Sequence, residues 1–204
     1  MKKYIDKVIK PSKVAITPRT RKVDTAKRRA GNDEVVLGRN NIVIGVDPGV
    51  SSPGLAFVWF YEGVVKQEWV YTPKDVESTG TFLLEAMDSL EFTGEDPKVF
   101  FASELSIFSK GRLAIWGMGR SVGELYAVVA TILGGVSAEV RYTASRWRKL
   151  AGYPSQEAYK ASRAIAMDAR YVDTPDQYDA LNIAIAFLNE NAVGVRKAGP
   201  HVEK

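Results

Sequence analysis

Apolar positions along the chain change their period several times, and the changes predict its elements. Residues 42–47, IVIGVD, and 54–61, GLAFVWFY, are nearly continuous apolar runs, the pattern of strands covered on both faces. A third strand spans 64–72, with Glu62-Gly63 supplying the hairpin turn before it. After Pro73, Phe82, Leu83, Ala86, Met87 and Leu90 recur at helical spacing. A fourth strand, KVFFASE, ends on Glu104, and a long apolar helix follows over 115–135, closed by Gly134-Gly135. A fifth strand, AEVRYT, leads into the basic stretch SRWRK. A helix over 155–170 and a last helix, with Thr174 as N-cap and Pro175 in its first turn, complete the order. This is an α/β order: a mixed five-stranded sheet whose first three strands form a meander, flanked by helices.

Composition narrows the chemistry. The chain has 204 residues, no Cys and one His, His201, close to the C-terminus. Thiolate metal sites and disulfides are therefore excluded, and the single His argues against His-based nucleophilic catalysis and a His-rich metal centre, which leaves carboxylates, Lys, Arg and hydroxyls. The apolar runs are interrupted before a bilayer's thickness is reached, so a soluble cytoplasmic protein is expected, of a bacterial cell or of a host cell if phage-encoded. The net charge of +4 is unevenly spread. Residues 1–40 read as a basic arm, carrying Arg19, Arg21, Lys22, Lys27, Arg28 and Arg29 among others, with too few large apolar residues to offset the entropy of ordering. An arm of this kind suits phosphate contacts, and a solubilising or targeting tail is the alternative. Residues 41–191 form the expected core domain and 192–204 a flexible tail.

Asp47 ends the first strand in a Gly/Pro/Ser turn, and Glu104 ends the fourth. The last helix opens PDQYDALNIAIAF, with Asp176 and Asp179 one turn apart on one face. If the strands of Asp47 and Glu104 are parallel neighbours, their C-terminal ends lie together, where open α/β sheets place their sites. Four carboxylates gathered without His or Cys describe a hard-cation site suited to Mg²⁺ or Mn²⁺, and a pair of such ions can clamp a phosphodiester. Singly, Asp176 reads equally as a helix N-terminal acid and Glu104 as an ordinary strand-end residue.

IGVDPGVSSPGLAFV, SELSIF, GMGRSVGELYAVVA and DQYDALNIAIAF resemble, in order and spacing, the RuvC-type Holliday junction resolvases over residues 41–190. The resemblance implies a ribonuclease H-like fold and four metal-binding acids at Asp47, Glu104, Asp176 and Asp179. It also implies Mg²⁺, with Mn²⁺ also supporting activity, branched DNA as substrate, a homodimer, and a role in DNA recombination and repair. The family's lysines beside the site correspond to Lys160, as a catalytic candidate, and to Arg148. The Arg keeps a phosphate-binding charge but not the proton-transfer capacity of a Lys. Phe108 matches, with a shift in spacing, the family's aromatic that stacks near the junction centre. Lys110, Arg112, Arg120, Arg146, Arg148, Lys149 and Arg163 join Arg28 and Arg29 as candidate DNA contacts. The helix at 115–133, apolar around most of its circumference, has the character of one facing both the sheet and a second subunit, and a helix buried within a single chain is the alternative. A nuclease for flaps, forks or RNA-containing duplexes, an actin-like ATPase and a non-catalytic DNA-binding scaffold are the competing readings. No second Gly-rich phosphate loop supports the ATPase, and no nucleotide cofactor or membrane is expected.

Overall fold

The computed structural model describes residues 35–49, 53–91, 94–105 and 112–192, with backbone alone at 112–114. Its strands are β1 (Asn40–Asp47), β2 (Gly54–Tyr61), β3 (Val64–Tyr71), β4 (Lys98–Glu104) and β5 (Ala138–Tyr142). Its helices are α1 (Val76–Asp88), α2 (Arg112–Ile132), α3 (Ala144–Leu150), α4 (Gln156–Asp168) and α5 (Pro175–Asn191). The sheet order is β3-β2-β1-β4-β5. β1, β2 and β3 form the expected antiparallel meander, and β1, β4 and β5 run parallel. Glu62 and Gly63 both take positive φ, 51° and 80°, as a tight two-residue hairpin turn requires.

Alternation along the strands sorts the core into two layers. Val43 of β1, with Phe100 and Ala102 of β4, faces α5, α3 and α4; Ile42, Ile44, Val46, Val99 and Phe101 face α1 and α2. Both faces of β1 and β2 are covered, which is why residues 42–46 and 55–60 within them are apolar or glycine throughout. Val35 and Leu37, ahead of β1, also pack against the α5 side of the core. The SRWRK stretch is a short helix, α3, with Trp147 fully buried. α2 begins three residues ahead of the apolar run that signals it, and positive φ at Gly134 and Gly135 follows its end. Met118, Val122, Leu125 and Val129 form its buried stripe; Ile115, Trp116, Gly119, Arg120 and Gly123 face outward. Among the described residues no helix is long and apolar enough to cross a membrane.

α5 is buried from Gln177 to Leu188. Its start is pinned: Thr174 Oγ1 accepts from the Gln177 amide at 3.2 Å, and Gln177 Nε2 donates to Thr72 Oγ1 at 3.0 Å while its Oε1 accepts from the Asp173 amide at 2.8 Å. Two glycines let the helix descend onto the sheet. A Cβ on Gly45 would lie 2.1 Å from the Ala180 carbonyl oxygen, and one on Gly54 would lie 1.9 Å from that of Asp176. Both obstacles are helix backbone, which cannot swing aside as a side chain can.

Gly45→Ala and Gly54→Ala are therefore expected to cost about 3 kcal/mol or more, at or beyond the usual upper end for overpacking. Gly119→Ala and Gly123→Ala, whose new methyl groups meet open space, are expected to stabilise the isolated chain by about 1 kcal/mol each through helix propensity. Denaturant titration of the four variants checks both signs.

Candidate active site

The strand register places Asp47 and Glu104 side by side. Val46 pairs with Ser103 across the parallel β1–β4 ladder, so the next residue on each strand is one of these acids. Both point to the α5 face by alternation with Val43 and Gly45, and with Phe100 and Ala102. Asp47 is also the partner of Gly54, the residue over which the first turn of α5 lies. The close helix approach thereby brings Asp176 and Asp179 to the same sheet edge. Asp179 is buried and Asp176 half-buried.

Electrostatics record the convergence. Burial pushes the Asp47 carboxyl up to about 8, and the charges of Asp179, Glu104 and Asp176 push in the same direction, against a smaller opposing effect of Arg148. Burial raises Asp179 to about 6, offset in part by a hydrogen bond from Tyr159 and by Arg163 and Arg148. Asp176 is raised by burial and eased by Arg163. Burial is thus the main cost at the cluster, the neighbouring acids add to it at Asp47, and the two arginines offset only part of it.

An aromatic frame supports it. The Trp147 indole Nε1 donates to Glu104 Oε2 at 2.7 Å, and the Tyr159 hydroxyl donates to Asp179 Oδ1. The two rings meet edge to face at 5.5 Å. The Arg148 guanidinium lies 5.0 Å from the Trp147 ring centre and 4.6 Å from that of Tyr159. Arg163 covers Tyr159 at 5.2 Å, donates to its hydroxyl at 3.2 Å and stands 4.0 Å from Asp179 Oδ1. Burial first, then the Asp179 charge, holds the Tyr159 phenol well above its ordinary pKa, so it remains a donor. Behind it, the Tyr153 hydroxyl donates to Asn182 Oδ1 at 2.8 Å and lies 2.5 Å from the Tyr178 hydroxyl, which ties the segment between α3 and α4 to α5.

The other candidates are distributed as follows. Lys160 is exposed on α4, and the acid whose pKa its charge lowers is Glu157 of its own helix. Arg146 pairs with Glu190 at 2.5 Å, at the far end of α5 from Asp176, and covers the Tyr142 ring. Lys149 is exposed on α3. Arg120 is exposed, paired with Glu124 at 2.6 Å and set over Trp116. Arg112 begins α2. Phe108, Lys110, Arg28 and Arg29 lie outside the described residues. Sequence reasoning passed over Trp147 and Tyr159. SRWRK and EAYKASR draw attention by their cations, whereas the useful signal in the second is Tyr159 and Arg163 at i and i+4 on one helix face.

Among the described residues no three or more His, Cys, Asp or Glu side chains are grouped, as they stand, to hold a metal ion. The chemistry of the donor set nonetheless suits a hard divalent cation: each candidate ligand is a carboxylate oxygen, and burial first, then the neighbouring acids, raises Asp47, an effect that a cation would oppose.

The sheet order, the two helical layers and the acid-bearing strand ends together define a ribonuclease H-like fold. No protein-family model matches the chain, and no curated protein matches its sequence. Among solved structures, Thermus thermophilus RuvC in complex with a Holliday junction substrate is similar with a TM-score of 0.50 at 18% identity, over 77% of this chain and 98% of that one. Another Thermus thermophilus RuvC structure gives 0.49 at 19% identity, over 76% and 98%. The human cytomegalovirus terminase nuclease domain gives 0.34 at 12%, over 78% and 88%. At these identities the likeness is one of fold, and the first structure carries it.

Asp47 generates a stability prediction. An acid with a higher pKa in the folded than in the unfolded chain binds its proton preferentially when folded. Its contribution is thus full below its ordinary 3.8 and is lost as pH rises through about 8. In chelator-containing buffer, Asp47→Asn should melt above wild type at pH 8 by a few degrees, since 1 kcal/mol is worth about 2–4 °C at this chain length. The difference should shrink towards pH 4, which thermal melts across this range would show.

Proposed function

We propose that this chain is a divalent-metal-dependent endonuclease that resolves four-way DNA junctions by paired phosphodiester hydrolysis. The observation that carries the reading is the meeting of four carboxylates, from β1, β4 and α5, at the C-terminal edge of the parallel strands of a ribonuclease H-like sheet. Asp47, Glu104, Asp176 and Asp179 would hold Mg²⁺ or Mn²⁺. The metal supplies, when bound, activation of water and stabilisation of the leaving oxygen. The chain's own residues do the rest. Asp47 and Glu104 present carboxylates from rigid strand ends, and α5 closes the site from above. Arg148, clamped between two rings, and Arg163 bring fixed positive charge to a phosphate that would otherwise meet only acids. Lys149 and Lys160, both exposed, are available to the flanking backbone.

Junction specificity and dimerisation are supported by the resemblance of the motifs and by the outward face of α2. Ile115 and Trp116 are 44% and 65% exposed there, beside Gly119 and Gly123, over which there is open space for a partner helix. Two such sites at fixed separation suit opposed strands of a four-way junction. Phe108 is assigned to stacking on bases at the crossover, and the basic arm with Arg28 and Arg29 to sequence-independent phosphate contacts.

Asp47→Asn and Glu104→Gln should lower Mg²⁺-dependent cleavage of a four-way junction to background while leaving junction binding intact or tighter. Gel assays of cleavage and binding read both, and a normal cleavage rate in either variant removes that residue from the mechanism. Phe108→Ala should lose cleavage of a mobile junction selectively, with flap and linear-duplex cleavage and the thermal melt unchanged; a base–aromatic contact is worth about 1–3 kcal/mol. Wild-type preference for flaps or RNA–DNA hybrids would replace the junction reading and keep the metal site. ATP turnover without nuclease activity would replace both.

A further inference from the structure

Trp147 and Tyr159 come from α3 and α4, elements with no acid of the cluster, yet each spends its one hydrogen-bond donor on a cluster carboxylate. The choice of oxygen is specific. Trp147 takes Oε2 of Glu104, and both Tyr159 and the nearby Arg163 address Oδ1 of Asp179. Among the described residues, Oε1 of Glu104 and Oδ2 of Asp179 take no hydrogen bond. Neither donor can drift: Trp147 is fully buried and Tyr159 is 2% exposed. Their rings lock edge to face, and Tyr153 packs against Tyr159 at 5.4 Å and 80°.

We propose that Trp147 and Tyr159 are positioning residues that occupy one oxygen each of Glu104 and Asp179, so that each acid offers a divalent ion a single, fixed oxygen. The inference rests on the reading of these acids as metal ligands and adds a selectivity to it. One-oxygen ligation suits Mg²⁺ and Mn²⁺, which demand near-octahedral geometry and retain waters. Ca²⁺, larger and tolerant of two-oxygen carboxylate ligation, gains least from it. A partner that orients a ligand in this way is typically worth about 10–100-fold in metal affinity.

The full chain, without DNA, is titrated with Mn²⁺ followed by electron paramagnetic resonance, with Mg²⁺ and Ca²⁺ as competitors. The variants are Tyr159→Phe, Trp147→Phe and Asp47→Asn, with thermal melts alongside. Tyr159→Phe keeps the ring that Trp147, Arg148 and Arg163 pack on and deletes only the donor. It should weaken Mn²⁺ and Mg²⁺ about 10-fold or more while Ca²⁺ holds or gains, so that the Mg²⁺-to-Ca²⁺ preference falls. Trp147→Phe should shift the preference in the same direction; if its melt collapses, Tyr159→Phe decides alone. Equal weakening of all three ions, or no change in Tyr159→Phe, overturns the positioning role while the metal site stands. Mn²⁺ binding in wild type that Asp47→Asn leaves unaltered overturns the metal site itself, and the positioning role with it.

Discussion

Everything at the site depends on how closely the backbone of α5 approaches the sheet. Gly45 and Gly54 face the helix where a single methyl group would overlap the carbonyl oxygens of Ala180 and Asp176. Removing those side chains lowers the helix far enough for Asp176 and Asp179 to share an edge with Asp47 and Glu104. The same contact seals a large apolar layer, with Ala180, Ile183, Ala184 and Phe187 fully buried beneath and around the helix. Fold stability and site assembly are thus one packing event, and a helix held even slightly higher would separate its acids from those of the strands.

That arrangement sets stability against chemistry. Burying a carboxylate beside three others is unfavourable, as the raised pKa of Asp47 records, and two arginines offset only part of it. Such strain persists because the surrounding structure overdetermines it: a capped and pinned helix start, two glycine contacts and a fully covered β1. A divalent cation would relieve it, so binding metal and tightening the fold would be coupled.

The aromatic frame has a second consequence for the arginines. Arg148 is held against two rings, and its Nε is buried without a hydrogen-bond partner among the described residues. A flat guanidinium stacks there in a way a compact ammonium would not. Arg148 is therefore matched to Trp147 and Tyr159, and the three form one unit beside the acids.

Local physics made much of this legible in the sequence. The two-residue turn at Glu62-Gly63 and the Thr174-Pro175 helix start follow from backbone preferences, and strand and helix periods from which faces must be buried. The acids stood out because a carboxylate at the end of a strand or in a helix's first turn has few places to go. What the sequence did not reveal were the partners of those acids. Trp147, Tyr159, Gly45 and Gly54 look, one residue at a time, like ordinary core aromatics and ordinary strand glycines. Their roles depend on α3, α4 and α5 arriving over particular strand positions, contacts between residues 43 and 20 positions apart in the case of the two donors. The surroundings of the basic residues were equally hidden: Lys160 and Arg146 lie near the right motifs in the chain, but only the packed helices show that one is exposed on α4 and the other is paired with Glu190. Periodicity and capping are local and can be read along the chain, whereas the direction in which a side chain points across a packed interface is decided only when the interface forms.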